Sequence, residues 1–125
     1  MAITLATLPH ATEQAVFDQV AAHLLTQKKR ALRANDLKVD YCVYRAPDGL
    51  KCAAGCLISD QEYEEAMEGL SWSDLVSNEL VPSTHASLIA DLQSIHDRLD
   101  VPVDQWGQKL IEYARKEGLS FNYEG

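Results

Sequence analysis

Long apolar runs are missing from this 125-residue chain. None approaches the roughly 20 residues that a helix needs to cross a bilayer, so no membrane partner is expected. No leader is expected either. Met1-Ala2-Ile3-Thr4-Leu5 carries neither a basic start nor a long apolar stretch, and a cytoplasmic setting is the expectation. Cysteine is scarce and odd in number: three thiols cannot complete a disulfide framework within the chain. In a reducing compartment they are expected to be free, buried or metal-bound. Phosphate-cradling glycine loops are absent too, since Gly49 and Gly55 fit neither G-x-x-x-x-G-K nor G-x-G-x-x-G. There is no internal repeat and no low-complexity tract. Positive charge is outweighed, 11 Lys/Arg against 19 Asp/Glu, and the net −8 argues against a nucleic-acid partner.

What is present suits one globular domain over residues 1–125, long enough to bury a core without staples. The charge is uneven. Residues 1–58 carry a net +2 and residues 59–125 a net −10. An anionic ligand is therefore steered to the N-terminal half, where Lys28, Lys29, Arg30, Arg33, Lys38, Arg45 and Lys51 lie. For Lys28 to Lys38 the plain reading is a set of solvated side chains.

Periodicity predicts a mostly α protein of the α+β class, about five helices packed around a small two-stranded antiparallel β-ribbon. Thr12 caps a first helix running to Lys29 or Arg30, with Val16, Phe17, Val20, Ala21, Leu24 and Leu25 as its apolar stripe. Asn35-Asp36 marks a connector. Ser59 with Glu62 reads as a capping box for a second helix, from Asp60 to about Glu68. Glu62, Glu64, Glu65 and Glu68 form its solvated face. Ser71 with Asp74, or Ser73 alone, caps a third helix through Leu80. Ser83 or Thr84 starts a fourth, whose stripe is Leu88, Leu92, Ile95 and Leu99. The fifth holds Trp106, Leu110, Tyr113 and Ala114 and ends at Gly118. Leu119, Phe121 and Tyr123 alternate in a tail that packs as a strap.

The ribbon is the segment on which chemistry concentrates. Tyr41 to Arg45 is rich in β-formers, Ala46-Pro47-Asp48-Gly49 fits a type I turn, and Leu50 to Cys52 returns as the second strand. The small residues Ala53-Ala54-Gly55 permit another backbone to come close, or a short buried helical turn. All three cysteines lie here, at C-x9-C-x3-C spacing. That spacing lacks paired C-x2-C knuckles, so packed thiols are preferred to a zinc site with His23, His85 or His96, and no metal or cofactor is expected. Cys56 sits just before the Ser59 cap, which is suggestive for a nucleophile, but no histidine is close in sequence to activate it. No carboxylate pair stands out for acid–base work. No catalytic residue is assigned, and a non-enzyme is the expectation.

The remaining constellation is a binding pocket. Arg45 and Lys51 face each other across the turn, and in a hairpin their side chains converge. Tyr41, Tyr44 and Tyr63 supply rings. Guanidinium and ammonium groups meet phosphate, and aromatic faces stack on a base. The assigned ligand-binding residues are therefore Tyr41, Tyr44, Arg45, Lys51 and Tyr63. The plainer alternative pairs Arg45 with Asp48 or Asp60 and puts the tyrosines in the core.

The run Cys42-x-Tyr44-Arg45, Gly49-Leu50-Lys51-Cys52-Ala53-x-Gly55-Cys56-Leu57-Ile58, Asp60-x-x-Tyr63 and Met67-Glu68-Gly69 is similar to a widespread family of small uncharacterised proteins of tailed phages and bacteria. The resemblance covers residues 41–69 and names no activity. It implies a phage setting, host-cell cytoplasm and a counter-defence role. The leading expectation is a sponge that sequesters a small anionic, nucleotide-derived signal molecule. Two alternatives stand beside it: an acidic inhibitor of a host defence protein, and a small enzyme using Cys52 or Cys56. A homo-oligomer is compatible with each.

Overall fold

The chain is mostly helical. The computed structural model describes residues 2–34, 40–98 and 101–122, with the backbone alone for residues 34, 40 and 41. Among the described residues there are four α-helices: α1 (Glu13–Gln27), α2 (Trp72–Ser77), α3 (Ala86–Asp97) and α4 (Trp106–Glu117). Helix α1 packs against α3 and α4, and α3 also packs against α2 and α4. Phe17, Leu24, Trp72, Leu75, Leu92, Trp106 and Leu110 fill the space between them, all fully buried or nearly so. No helix among the described residues is long and apolar enough to cross a membrane.

Local chemistry explains the helix ends. The Thr12 hydroxyl accepts from the Ala15 amide and opens α1. Ser71 and Asp74 form a full capping box on α2. Gly118, at φ 73°, closes α4. Helix α1 stops at Lys28, in the left-handed region, slightly before the expected end. Helix α2 stops at Ser77, short of Leu80. Helix α3 starts after His85 rather than at Ser83 or Thr84, and the His85 ring donates from Nε2 to the Ala11 carbonyl at 2.6 Å. The strap is tied by Gln14, whose side chain exchanges two hydrogen bonds with the Ser120 backbone, and Phe121 lies edge-on to Phe17. The expected roles of Asn35-Asp36, Lys38, Leu99 and Tyr123 lie outside the described residues.

Two expectations need correction. No α-helix spans residues 60–68; turns and one 3-10 turn at Glu65–Met67 occupy that stretch. The reason is that Glu62 and Glu68 turn inward to accept backbone amides, so they are not on a solvated face. The ribbon is also displaced. Strand β1 (Leu32–Ala34) pairs antiparallel with β2 (Asp40–Cys42), with Leu32 opposite Cys42 and Arg33 opposite Tyr41. Where a second strand was expected, a single antiparallel bridge joins Arg45 to Lys51. The turn between them is as expected: the Gly49 amide bonds the Ala46 carbonyl at 3.0 Å, and Gly49 has φ +90°.

Candidate functional site

The segment 43–58 is anchored by backbone contacts before any side chain is considered. Gly55 starts a buried 3-10 turn that presses on residue 44. A Cβ at Gly55 would stand 2.2 Å from the Tyr44 carbonyl oxygen, so only glycine fits. Gln27 clamps Lys51 from α1, accepting from its amide at 3.0 Å and donating to its carbonyl at 2.8 Å. His23 donates to the same carbonyl from Nε2 at 2.8 Å. Burial holds the His23 ring below the usual histidine range and outweighs that bond; the nearby Lys51 charge pushes the same way.

On the other side stands Glu68. Its carboxylate accepts from the amides of Tyr44 and Arg45 at 2.9 and 3.1 Å and from the Tyr63 hydroxyl at 2.7 Å. Glu62 does the same for the N-terminal segment, accepting from Leu5, Ala6 and Ser59. Burial alone would raise the Glu62 carboxyl, but these amides together hold it below the usual range. The Ser59–Glu62 bond is the local one that the capping-box spacing marks; the bonds to Leu5, Ala6, Tyr44 and Arg45 carry no local sequence signal, because those amides are far away along the chain.

Of the five residues assigned from sequence, three form one unit. Arg45 and Lys51 are bridge partners, which in an antiparallel pair puts their side chains on one face. The Arg45 guanidinium lies 5.0 Å from the centre of the Tyr63 ring. One of its nitrogens contacts the Asp60 carboxylate at 2.5 Å and another donates to the Ile58 carbonyl at 2.9 Å. Its Nε–H is buried with no partner among the described residues. Asp60 is 79% exposed, whereas Arg45 is only 19% exposed. The Arg45–Asp60 pair is the plainer alternative weighed from sequence. Lys51 has no carboxylate partner among the described residues.

Tyr44 does not join them. It is buried, its hydroxyl donates to the Leu70 carbonyl at 2.5 Å, and burial raises its phenol well above the ordinary range. The Tyr41 side chain lies outside the described residues. Tyr63 gives its hydroxyl to Glu68 and Glu65, leaving the ring face to Arg45. Among the described residues, four surface hollows of about 330–580 Å³ are lined by residues other than Tyr44, Arg45, Lys51 and Tyr63.

Lys28 and Lys29 are exposed, as expected of a solvated set, but Arg30 and Arg33 are engaged. Arg30 donates from Nε to the His96 carbonyl at 2.8 Å and from Nη2 to the carbonyls of Arg98 and Val101, capping the end of α3. Its guanidinium lies 5.5 Å from the centre of the Trp106 ring. Arg33 pairs with Glu65 at 2.5 Å.

A second constellation joins β2 to the end of α3; His96 was weighed from sequence as a partner of the cysteines, but Asp97 was not. Donor atoms of Cys42, His96 and Asp97 lie within 4.8 Å of one another, a set of the kind that zinc accepts. The protons argue otherwise in this conformation. The Ala31 amide donates to His96 Nε2 at 3.1 Å, which puts the ring proton on Nδ1, 2.8 Å from Asp97. A metal at Nδ1 would send that proton to Nε2, against the Ala31 N–H. Gln93 also donates to Asp97 and accepts from the Ala54 amide, so the group ties α3 to the cysteine segment. The thiols are poor nucleophiles. Burial, reinforced by Asp97, pushes Cys42 up to about 12. Burial also raises Cys52 well above the ordinary thiol value and takes Cys56 to about 12, despite the opposing Lys51 charge.

No protein-family model matches the chain, and searches of curated proteins and of solved structures gave no match either.

Proposed function

We propose that this protein is a non-catalytic binding module that captures a small phosphate-bearing, nucleotide-like molecule on the face shared by Arg45, Lys51 and Tyr63. One observation carries the reading: Arg45, stacked on Tyr63 and bridged to Lys51, already holds an oxyanion, the exposed carboxylate of Asp60. A ligand phosphate takes that place when Asp60 rotates into solvent. Arg45 then meets it with a charge-assisted hydrogen bond and Lys51 with a point charge. Three thiols pushed upward by burial support binding over nucleophilic catalysis.

The resemblance over residues 41–69 supplies the setting. Within the cytoplasm of a phage-infected cell, such a module would act as a counter-defence sponge for a nucleotide-derived signal. Titration calorimetry against cyclic nucleotides and ADP-ribose derivatives tests it, using the wild type and Lys51→Ala. The expected result is heat from at least one ligand, with affinity lowered about tenfold in Lys51→Ala. Silence across the whole panel removes the reading.

A further inference from the structure

A second surface lies apart from the Arg45 unit. Helix α2 ends in a turn that no glycine provides. Glu79 adopts φ 59°, a left-handed conformation that a side chain enters at some cost. Its amide bonds the Val76 carbonyl at 3.0 Å, and the Leu80 amide bonds the Leu75 carbonyl at 2.9 Å. The turn pushes Leu80 outward. At 37% exposure it is the exposed large hydrophobic side chain among the described residues. Beside it opens a hollow of about 580 Å³, walled by Leu5, Val76, Leu80, Val81 and Pro82. Glu62 and Glu79 stand at its edge.

The charged residues that line this hollow, Glu62 and Glu79, have one sign, and no lysine or arginine is among its lining residues. Glu62 keeps its charge into mildly acidic conditions because three amides hold its carboxylate. An apolar floor with an anionic edge selects against acidic and neutral partners. It matches an apolar side chain flanked by lysine or arginine.

We infer that the hollow between Leu5 and the Glu79–Pro82 turn is a docking surface for a basic segment of a partner protein, which seats an apolar side chain against Leu80 and a cation against Glu79. The surface is separate from the anion seat, so either assignment stands or falls alone.

The test is a titration of the isotope-labelled protein, followed by NMR, with a short peptide alternating leucine and lysine and a matched peptide alternating leucine and glutamate. Amide shifts are expected at Leu5, Ala6, Val76 to Val81 and Ser83 with the lysine peptide, and none with the glutamate peptide. Leu80→Ser and Glu79→Lys are each expected to weaken binding about tenfold, the loss of one hot-spot contact. Glu79→Gly relieves the backbone strain while removing the charge. It should therefore raise the melting temperature and still weaken binding, which separates docking from folding. Shifts spread over the acidic surface and untouched by Leu80→Ser would overturn the proposal, as would equal responses to both peptides or none to either.

Discussion

Among the described residues, two arginines lie over aromatic rings, and they are held in opposite ways. Arg30, over Trp106, gives its donors to three backbone carbonyls at the end of α3. Arg45, over Tyr63, has one carbonyl and one exposed side-chain carboxylate, with a donor left over. Backbone acceptors cannot leave without unfolding something; an exposed aspartate can leave by a rotamer change. The comparison teaches that a cation held by backbone carbonyls is structural, whereas one completed by a mobile carboxylate is available for exchange.

The largest expected effect tests the frame on which Arg45 rests. Gly55→Ala would force a Cβ into the Tyr44 carbonyl, and a loss of about 3 kcal/mol or more is expected from urea unfolding. A loss under about 1 kcal/mol would mean that the two backbones separate readily. Next comes the contrast itself. Arg30→Ala leaves three carbonyls without their cation and should cost about 3 kcal/mol. Arg45→Ala should cost about 1–2 kcal/mol, because its carboxylate partner returns to water. Equal losses would erase the distinction between the two sites.

The smallest effect concerns the clamp on Lys51. Burial depresses the His23 ring, so the unfolded chain takes up that proton first. The stability tied to neutral His23 is complete above about pH 6.5 and declines as pH falls below it. His23→Gln keeps a donor for the Lys51 carbonyl but does not titrate. Its unfolding free energy should therefore drop less than that of the wild type between pH 7.5 and 5.5. An identical drop in both proteins would show that His23 is not the titrating group.

Much of the fold was legible in the sequence where the cause is local. Thr12, the Ser71 and Asp74 pair, and Gly118 mark helix ends through contacts within a few residues. The Pro47-Asp48-Gly49 turn was readable for the same reason. What stayed hidden is non-local. Glu62 and Glu68 follow a helix-like spacing, yet each carboxylate is drawn to amides elsewhere, Leu5 and Ala6 for one, Tyr44 and Arg45 for the other. Those bonds replace the helix expected at 60–68. The strand at Tyr41 found its partner upstream at residues 32–34 instead of downstream, a choice that β-propensity alone does not make. In the site, Arg45, Lys51 and Tyr63 are joined as their positions around the turn suggest. Tyr44 was lost to the core, where its hydroxyl donates to the Leu70 carbonyl. The grouping of Cys42, His96 and Asp97 needed the packing of α3 to bring it together.

The exchange at Arg45 is tested most directly by Asp60→Asn, measured by calorimetry with a phosphate-bearing ligand drawn from the nucleotide panel. An exposed ion pair is worth about 1 kcal/mol or less, so removing the competing carboxylate should tighten binding by about threefold to fivefold while stability barely changes. Unchanged or weaker affinity in Asp60→Asn would contradict the account, because Asp60 would then not be occupying the place of the ligand.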